Sequence, residues 1–313
     1  MKGLELARRY YETYGREMLQ TQFADVLSAL AVGLAGSGSE CYGYDDEASW
    51  DHDFEPAFCI FLPSEEVVDR KTEFRLERAY SKLPNQFMGF ERSPISPVGG
   101  SRHGVIRMDR FFLEKVGDSD GNLSIEGWFS APEYGLLEAT NGEIFSDPCG
   151  QISLIRKKLS YFPEDVRLKK LAGNLLLMGQ AGQYNYGRCI LRGESGAAQL
   201  AVFEFAKSAM HCIYLINRSY MPYYKWCFKG LENLPLLSEL SQDLEYLISS
   251  ANTAAEAKKK MEIIEHICAG VSKELTAQEM IDLQTQEMEQ LAYAVNDTIS
   301  DHHIRNLHIL HGV

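Results

Sequence analysis

Residues 35–54 read AGSGSECYGYDDEASWDHDF, and this stretch decides the fold. Gly38-Ser39 is followed, after eleven residues, by Asp51-His52-Asp53. The segment DHDFEPAFCIFLP, residues 51–63, reads as a strand closed by Pro63. Two carboxylates at i and i+2 on a strand point to the same face, where both can coordinate one Mg²⁺, a hard cation suited to carboxylate and phosphate oxygens. The Gly-Ser turn upstream leaves backbone N–H groups sterically unguarded, as an anion nest for a terminal phosphate requires. Taken singly, an Asp-x-Asp is common on solvated loops and a Gly-Ser is only a turn. Together, between a helix and an apolar strand, they point to phosphoryl or nucleotidyl transfer. Gly36-Ser37 offers the same turn in an alternative register.

Working outward, residues 3–31 carry apolar positions at helical spacing, and the run AVGLAGSGS (31–39) is expected to end that helix in a tight turn. Residues 64–82 read as a helix with Ser64 as N-cap. Residues 84–103, rich in Pro, Gly and Ser, read as an irregular loop. HGVIRM (103–108) and GEIFSD (142–147) read as strands, with a helix over 132–140 between them. This alternation predicts an α/β or α+β domain over residues 1–150. From Gln151 onward the periodicity is helical (151–160, 164–180, 196–220, 236–251, 254–272, 276–295 and 298–311), so residues 151–313 are expected to form an all-α bundle.

A chain of 313 residues suits two domains at roughly 100–200 residues each. With 45% hydrophobic and 24% charged residues it has the composition of a folded globular protein. Asp and Glu outnumber Lys and Arg by 44 to 31, for a net charge of −13, which disfavours long nucleic acids as partners. An anionic ligand therefore needs a divalent cation or placed Arg and Lys to screen it. Seven cysteines without a Cys-x-x-Cys pair are expected to be reduced, mostly buried thiols. No stretch approaches the ~18 apolar residues of a membrane span; the expectation is a cytoplasmic protein with no membrane partner. A Walker P-loop and a Gly-x-Ser-x-Gly elbow are both missing from the sequence.

The Gly-Ser turn followed by Asp-x-Asp resembles the nucleotidyltransferase superfamily, which includes DNA polymerase β and kanamycin nucleotidyltransferase. More closely, LAGSGSECYGYDDEASWDHDF, RHGV, IFSDPCG, YFPEDV and NRSYMPYYKW are similar to a bacterial group designated domain of unknown function 4037. The resemblance implies an α+β fold, with a mixed-sheet catalytic domain followed by a helical domain that caps substrate and nucleotide. It also implies Mg²⁺-dependent transfer of a nucleoside monophosphate from an NTP, with ATP first among them and Mn²⁺ as an alternative metal. The acceptor is a small molecule, a protein or an RNA end. Asp51 and Asp53 match the metal pair, and Gly38 and Ser39, or Gly36 and Ser37, the phosphate turn. Active members of the superfamily carry a third carboxylate on a later strand. Asp109, at the end of HGVIRMD, is the first candidate for it and Asp147 the second. Without a third acid the chain is expected to bind nucleotide as an inactive module or interaction domain.

In the helical half, residues 217–226 (NRSYMPYYKW) are dense in aromatic and cationic groups. Pro222 disrupts a helix there, so Arg218 or Lys225 is a candidate contact for the triphosphate. The alternative is a helix junction packed by Tyr and Trp. GDSDGNLSIEG (117–127) does not meet the EF-hand pattern and reads as a surface turn, KKK (258–260) as the solvated face of a helix, and the histidines at 302, 303, 308 and 311 as exposed helix residues.

Overall fold

The computed structural model describes residues 1–49, 54–92 and 102–313. It is α+β: a mixed four-stranded sheet, a two-stranded ribbon and many helices. Two compact units divide the chain. The first comprises residues 1–127 and 131–160, the second residues 128–130 and 161–313.

The first unit is built on β1 (Ala31–Leu34), β2 (Cys59–Leu62), β5 (Gly104–Arg107) and β6 (Glu143–Ser146), in the order β5-β2-β1-β6. β1 pairs antiparallel with β2 and β6, and β2 runs parallel to β5. β1 and β2 are buried along their whole length, which requires apolar groups on both faces rather than alternation. Val32, Ile60 and Leu62 meet α1 (Gly3–Tyr10), α2 (Arg16–Gln22) and α4 (Arg70–Ser81) in one core cluster with Tyr10, Leu19, Phe23, Leu76 and Tyr80. On the other side Phe61 packs edge-on to Phe111 of α5 (Met108–Val116), with ring centroids 5.3 Å apart. The unit is completed by α3 (Ser39–Tyr42), a ribbon of β3 (Gln86–Phe87) and β4 (Phe90–Glu91), α7 (Glu133–Thr140) and α8 (Gln151–Lys158). α6 (Ile125–Ser130) is divided between the units.

Several sequence expectations change here. AVGL is no helix terminus but the central strand β1. Its four residues are too short for a periodic signal, and burial between β2 and β6 decides their state. The first helix ends at Gln22, after a π-helical turn at Tyr11–Gly15. α4 opens at Arg70, not near Ser64, because the Asp69 carboxylate caps it by accepting the Thr72 N–H at 2.8 Å. The stretch read as a loop over 84–103 contains the β3–β4 ribbon.

In the second unit α9 (Glu164–Met178) is buried along nearly its whole length and packs against α11 (Ser195–Ile216) and α15 (Met288–Asp297). A π-helical segment (Gly179–Tyr186), α10 (Gly187–Leu191), α12 (Cys227–Leu231), α13 (Ser241–Ser249), α14 (Ala254–Ala277) and α16 (His302–Asn306) surround them. The helices expected over 276–295 and 298–311 shrink to α15 and α16. Lys260, read as part of a solvated face, is fully buried, and its ammonium donates to Ser250 O at 2.8 Å and Asn252 Oδ1 at 3.1 Å. Lys169 is likewise fully buried, donating to Asn296 Oδ1 and Leu307 O, both at 2.7 Å. Each ammonium sits among oxygen acceptors, which offsets the cost of burying it.

Among the described residues no helix is long and apolar enough to cross a membrane. Five of the seven thiols are buried, and all seven cysteines are free.

The approach of β6 to β1 depends on Gly142, where an added Cβ would overlap the Leu34 carbonyl oxygen. Gly142→Ala is expected to destabilise the first unit by about 2–3 kcal/mol, read as a lower urea midpoint by far-UV circular dichroism.

Candidate functional site

The registers gather four strand ends at one edge of the sheet. β1 leaves the sheet there after Leu34, and β2, β5 and β6 all enter there. Gly33 faces Cys59, Cys59 faces Gly104, and Leu34 faces Glu143. The residues just outside these ends therefore share one neighbourhood: Gly36–Ser39 after β1, Glu55 before β2, Arg102 and His103 before β5, and Asn141 before β6.

The turn is held rigidly. Asn141 Oδ1 accepts the Gly36 N–H and its Nδ2 donates to the Gly36 carbonyl, both at 2.9 Å. Arg156 fixes Asn141 in turn, donating through Nη2 to the carbonyls of Thr140 and Asn141, the latter at 2.6 Å. Arg102 Nη1 donates to Ser37 O at 3.2 Å. Gly38 has φ +133°, and a Cβ there would lie 2.5 Å from Glu40 Oε1, so only glycine fits over the carboxylate. α3 is secured from below by Tyr42, whose hydroxyl donates to Glu138 at 2.9 Å while Lys115 pairs with the same carboxylate. Among the described residues the N–H groups of Ser37, Gly38 and Ser39 have no hydrogen-bond partner. Three unused donors in one turn are available to an acceptor from outside the chain.

Beneath the turn lies a buried charge cluster. His103, 9% exposed, places Nδ1 2.9 Å from Glu55 Oε1 and Nε2 3.7 Å from Glu40 Oε1. The first contact is a hydrogen bond and the second an ion pair without one, which agrees with Glu40 Oε1 lacking any hydrogen-bond partner. Burial alone would lower the His103 pKa, but the two carboxylates outweigh it and raise it above its ordinary value. Burial alone would raise Glu40, but His103, the Glu40 backbone N–H and Arg102 hold it below the usual carboxylate range. The nearby thiols are inert: burial pushes Cys59 up to about 12 and raises Cys41 as well. The chain leading away from α3 is pinned by the N-terminal residues. Asp45 accepts the Gly3 N–H at 2.8 Å and pairs with Lys2 at 3.5 Å.

Of the residues named from sequence, Gly36, Ser37, Gly38 and Ser39 occupy the turn. Asp51 and Asp53 lie outside the described residues; Phe54 and Glu55, which follow them, are at the same sheet edge. Asp109 is exposed in the first turn of α5, where its Oδ1 accepts the Arg110 N–H at 2.7 Å. β5 enters beside the turn and carries the chain to the opposite edge before Asp109 is reached. Asp147 follows β6 and accepts the Ser153 N–H at 2.9 Å. In the second unit Arg218 pairs with Glu164 at 2.8 Å, and the Lys225 ammonium sits 4.9 Å from the Trp226 ring centroid. Nothing in the local sequence marks Asn141, Glu40, Glu55 or Arg156 as part of this site. Their positions just outside strand ends or within short helices became informative only with the registers known.

Among the described residues no group of three or more His, Cys, Asp or Glu is arranged to hold a metal ion. Glu40 and Glu55 both face His103.

Two outcomes are expected. Asn141→Ala removes two hydrogen bonds and strands the buried Gly36 N–H, at a cost of about 2–3 kcal/mol. Amide exchange at residues 35–39 should accelerate in that variant, with Asn141→Asp intermediate because it keeps the acceptor alone. The His103 pair contributes fully below pH ~6.5 and is lost as pH rises through the raised histidine pKa, whereas the Glu40 contribution is present above ~4.5 and lost as pH falls through its lowered pKa. Between pH 6 and 9 the first unit should lose more stability in the wild type than in His103→Gln, measured by urea denaturation.

A search of curated proteins finds no match to this chain. Residues 128–227, from α6 to the start of α12, match the family described as Domain of unknown function (DUF4037).

Proposed function

We propose that the chain is a nucleotidyltransferase that moves a nucleoside monophosphate from an NTP, ATP first among them, to an acceptor. The observation that carries this reading is the sheet edge itself. The Gly36–Ser39 turn, with three unused N–H groups and the Arg102 guanidinium beside it, stands where the chain carrying Asp51-x-Asp53 enters β2.

Ser37, Gly38 and Ser39 would donate to the terminal phosphate oxygens without rearrangement, since Asn141 already fixes the turn. Arg102 would add a fixed positive charge beside them. Asp51 and Asp53 are the residues that would hold Mg²⁺ or Mn²⁺, which supplies charge neutralisation at the triphosphate. His103 helps keep Glu40 ionised and holds Glu55 in place under the turn. Arg218 and Lys225 are not needed for this reading, and each has a partner within its own unit.

One observation favours a second reading. Asp109 sits beyond the far end of β5, away from the edge that holds the turn. A nucleotide-binding module without turnover would need no third acid there. Thermal shift with each NTP and Mg²⁺ separates these readings from an unrelated function. The expected result is stabilisation by Mg·NTP, of about 2.7 kcal/mol at a hundredfold excess over Kd, that disappears in Asp53→Asn. No stabilisation by any NTP overturns both readings. Release of pyrophosphate from NTP in the presence of acceptor mixtures, reduced at least 100-fold in Asp53→Asn, distinguishes transfer from binding alone.

A further inference from the structure

A groove in the first unit runs between α2 and α4 and encloses about 450 Å³, a volume within the ordinary range for small-ligand sites. Its α4 side presents Arg75, Arg78 and Lys82, against the single carboxylate of Glu17, and Tyr14 and Pro84 contribute apolar surface. At a rise of 1.5 Å per residue the three cations span roughly 10 Å along one side of the groove.

Among the described residues no carboxylate neutralises these three, although several other cations of this unit are neutralised. Arg8, Arg16, Arg70, Arg107 and Arg110 each pair with a carboxylate. Among the described residues Arg75, Arg78 and Lys82 pair with none, in a chain whose acids exceed its bases by 13. Carboxylates are abundant, so three unpaired cations along one groove mark a local reversal of charge. Arg75 is also preorganised: its guanidinium lies over the Phe23 ring at 5.2 Å and donates to Gln22 O at 3.4 Å. A stacked guanidinium loses less freedom when it takes a second partner.

We propose that this groove is a binding site for a small polyanion carrying two or three phosphate or carboxylate groups and an apolar portion. Arg75 and Arg78 grip the anionic groups as forks, Lys82 adds a point charge, and Tyr14 and Pro84 cover the apolar portion. The volume suits a small molecule, and the net charge of −13 repels extended polyanions. This site is separate from the Gly-Ser turn, and the inference stands without the proposed nucleotidyl transfer.

The test uses the full chain in EDTA at low salt, titrated calorimetrically with inorganic tripolyphosphate, with tricarballylate and with a poly-glutamate peptide. One saturable site is expected for at least one of the two small anions, and the stronger of them identifies phosphate or carboxylate as the preferred group. The double variant Arg75→Gln/Arg78→Gln should weaken it by 10- to 100-fold, and Lys82→Gln by a few-fold. Bound anion should slow amide exchange over residues 14–23 and 75–84. Three results overturn the proposal: no saturable binding of either small anion, binding unchanged in the double variant, or peptide binding alone, which would make the groove a protein-docking surface.

Discussion

Two hydrogen bonds of 2.9 Å between Asn141 and Gly36 set the geometry of the candidate site. They join residues 105 positions apart in the chain, one leaving β1 and the other about to enter β6. Asn141 occupies both polar groups of Gly36, and among the described residues the next three N–H groups have no backbone or side-chain partner. A turn that satisfied those donors internally would be more stable and could bind nothing. The clasp therefore bears the cost of keeping them open, and Arg156 reinforces it from the other side of the peptide.

The buried cluster under the turn follows a different logic. A buried ion pair returns little net stability, because desolvating both charges offsets their attraction. Glu40, His103 and Glu55 are better understood as fixing positions. Glu40 lies so close under Gly38 that no larger residue fits, and His103 ties the entry to β5 to the entry to β2. Removing one member would leave an uncompensated charge, so the three act as a unit.

Much of the sheet is legible in the sequence. The apolar run ending at Pro63, HGVIRM and GEIFSD each contain a strand, because continuous or alternating apolar residues bounded by Pro or Gly have few other uses. β1 was not legible. AVGL sits against a glycine-rich turn, and its strand state comes from two neighbours that are distant in sequence. The Gly-Ser turn is visible from its composition, whereas nothing in the sequence ties Asn141 to a turn 105 residues away. Lys260 shows the reverse error. A Lys-Lys-Lys run signals solvent on average, yet the helical angle turns its third member inward onto Ser250 and Asn252.

Charge balance at the sheet edge then narrows the chemistry. With His103 protonated, Arg102 and His103 offset Glu40 and Glu55, so the described groups there carry no net charge. Attraction for an anion must come from the open N–H groups of the turn, which act over a few ångströms and so select a ligand that fits closely. Bringing Asp51 and Asp53 to the same edge would add two negative charges and turn that attraction into repulsion. On the proposed reading a divalent cation would restore the balance, and a polyphosphate bound with it would share the cation with those carboxylates. On that reading, the same electrostatics would make this sheet edge a poor partner for a bare anion and a suitable one for an anion delivered with its metal.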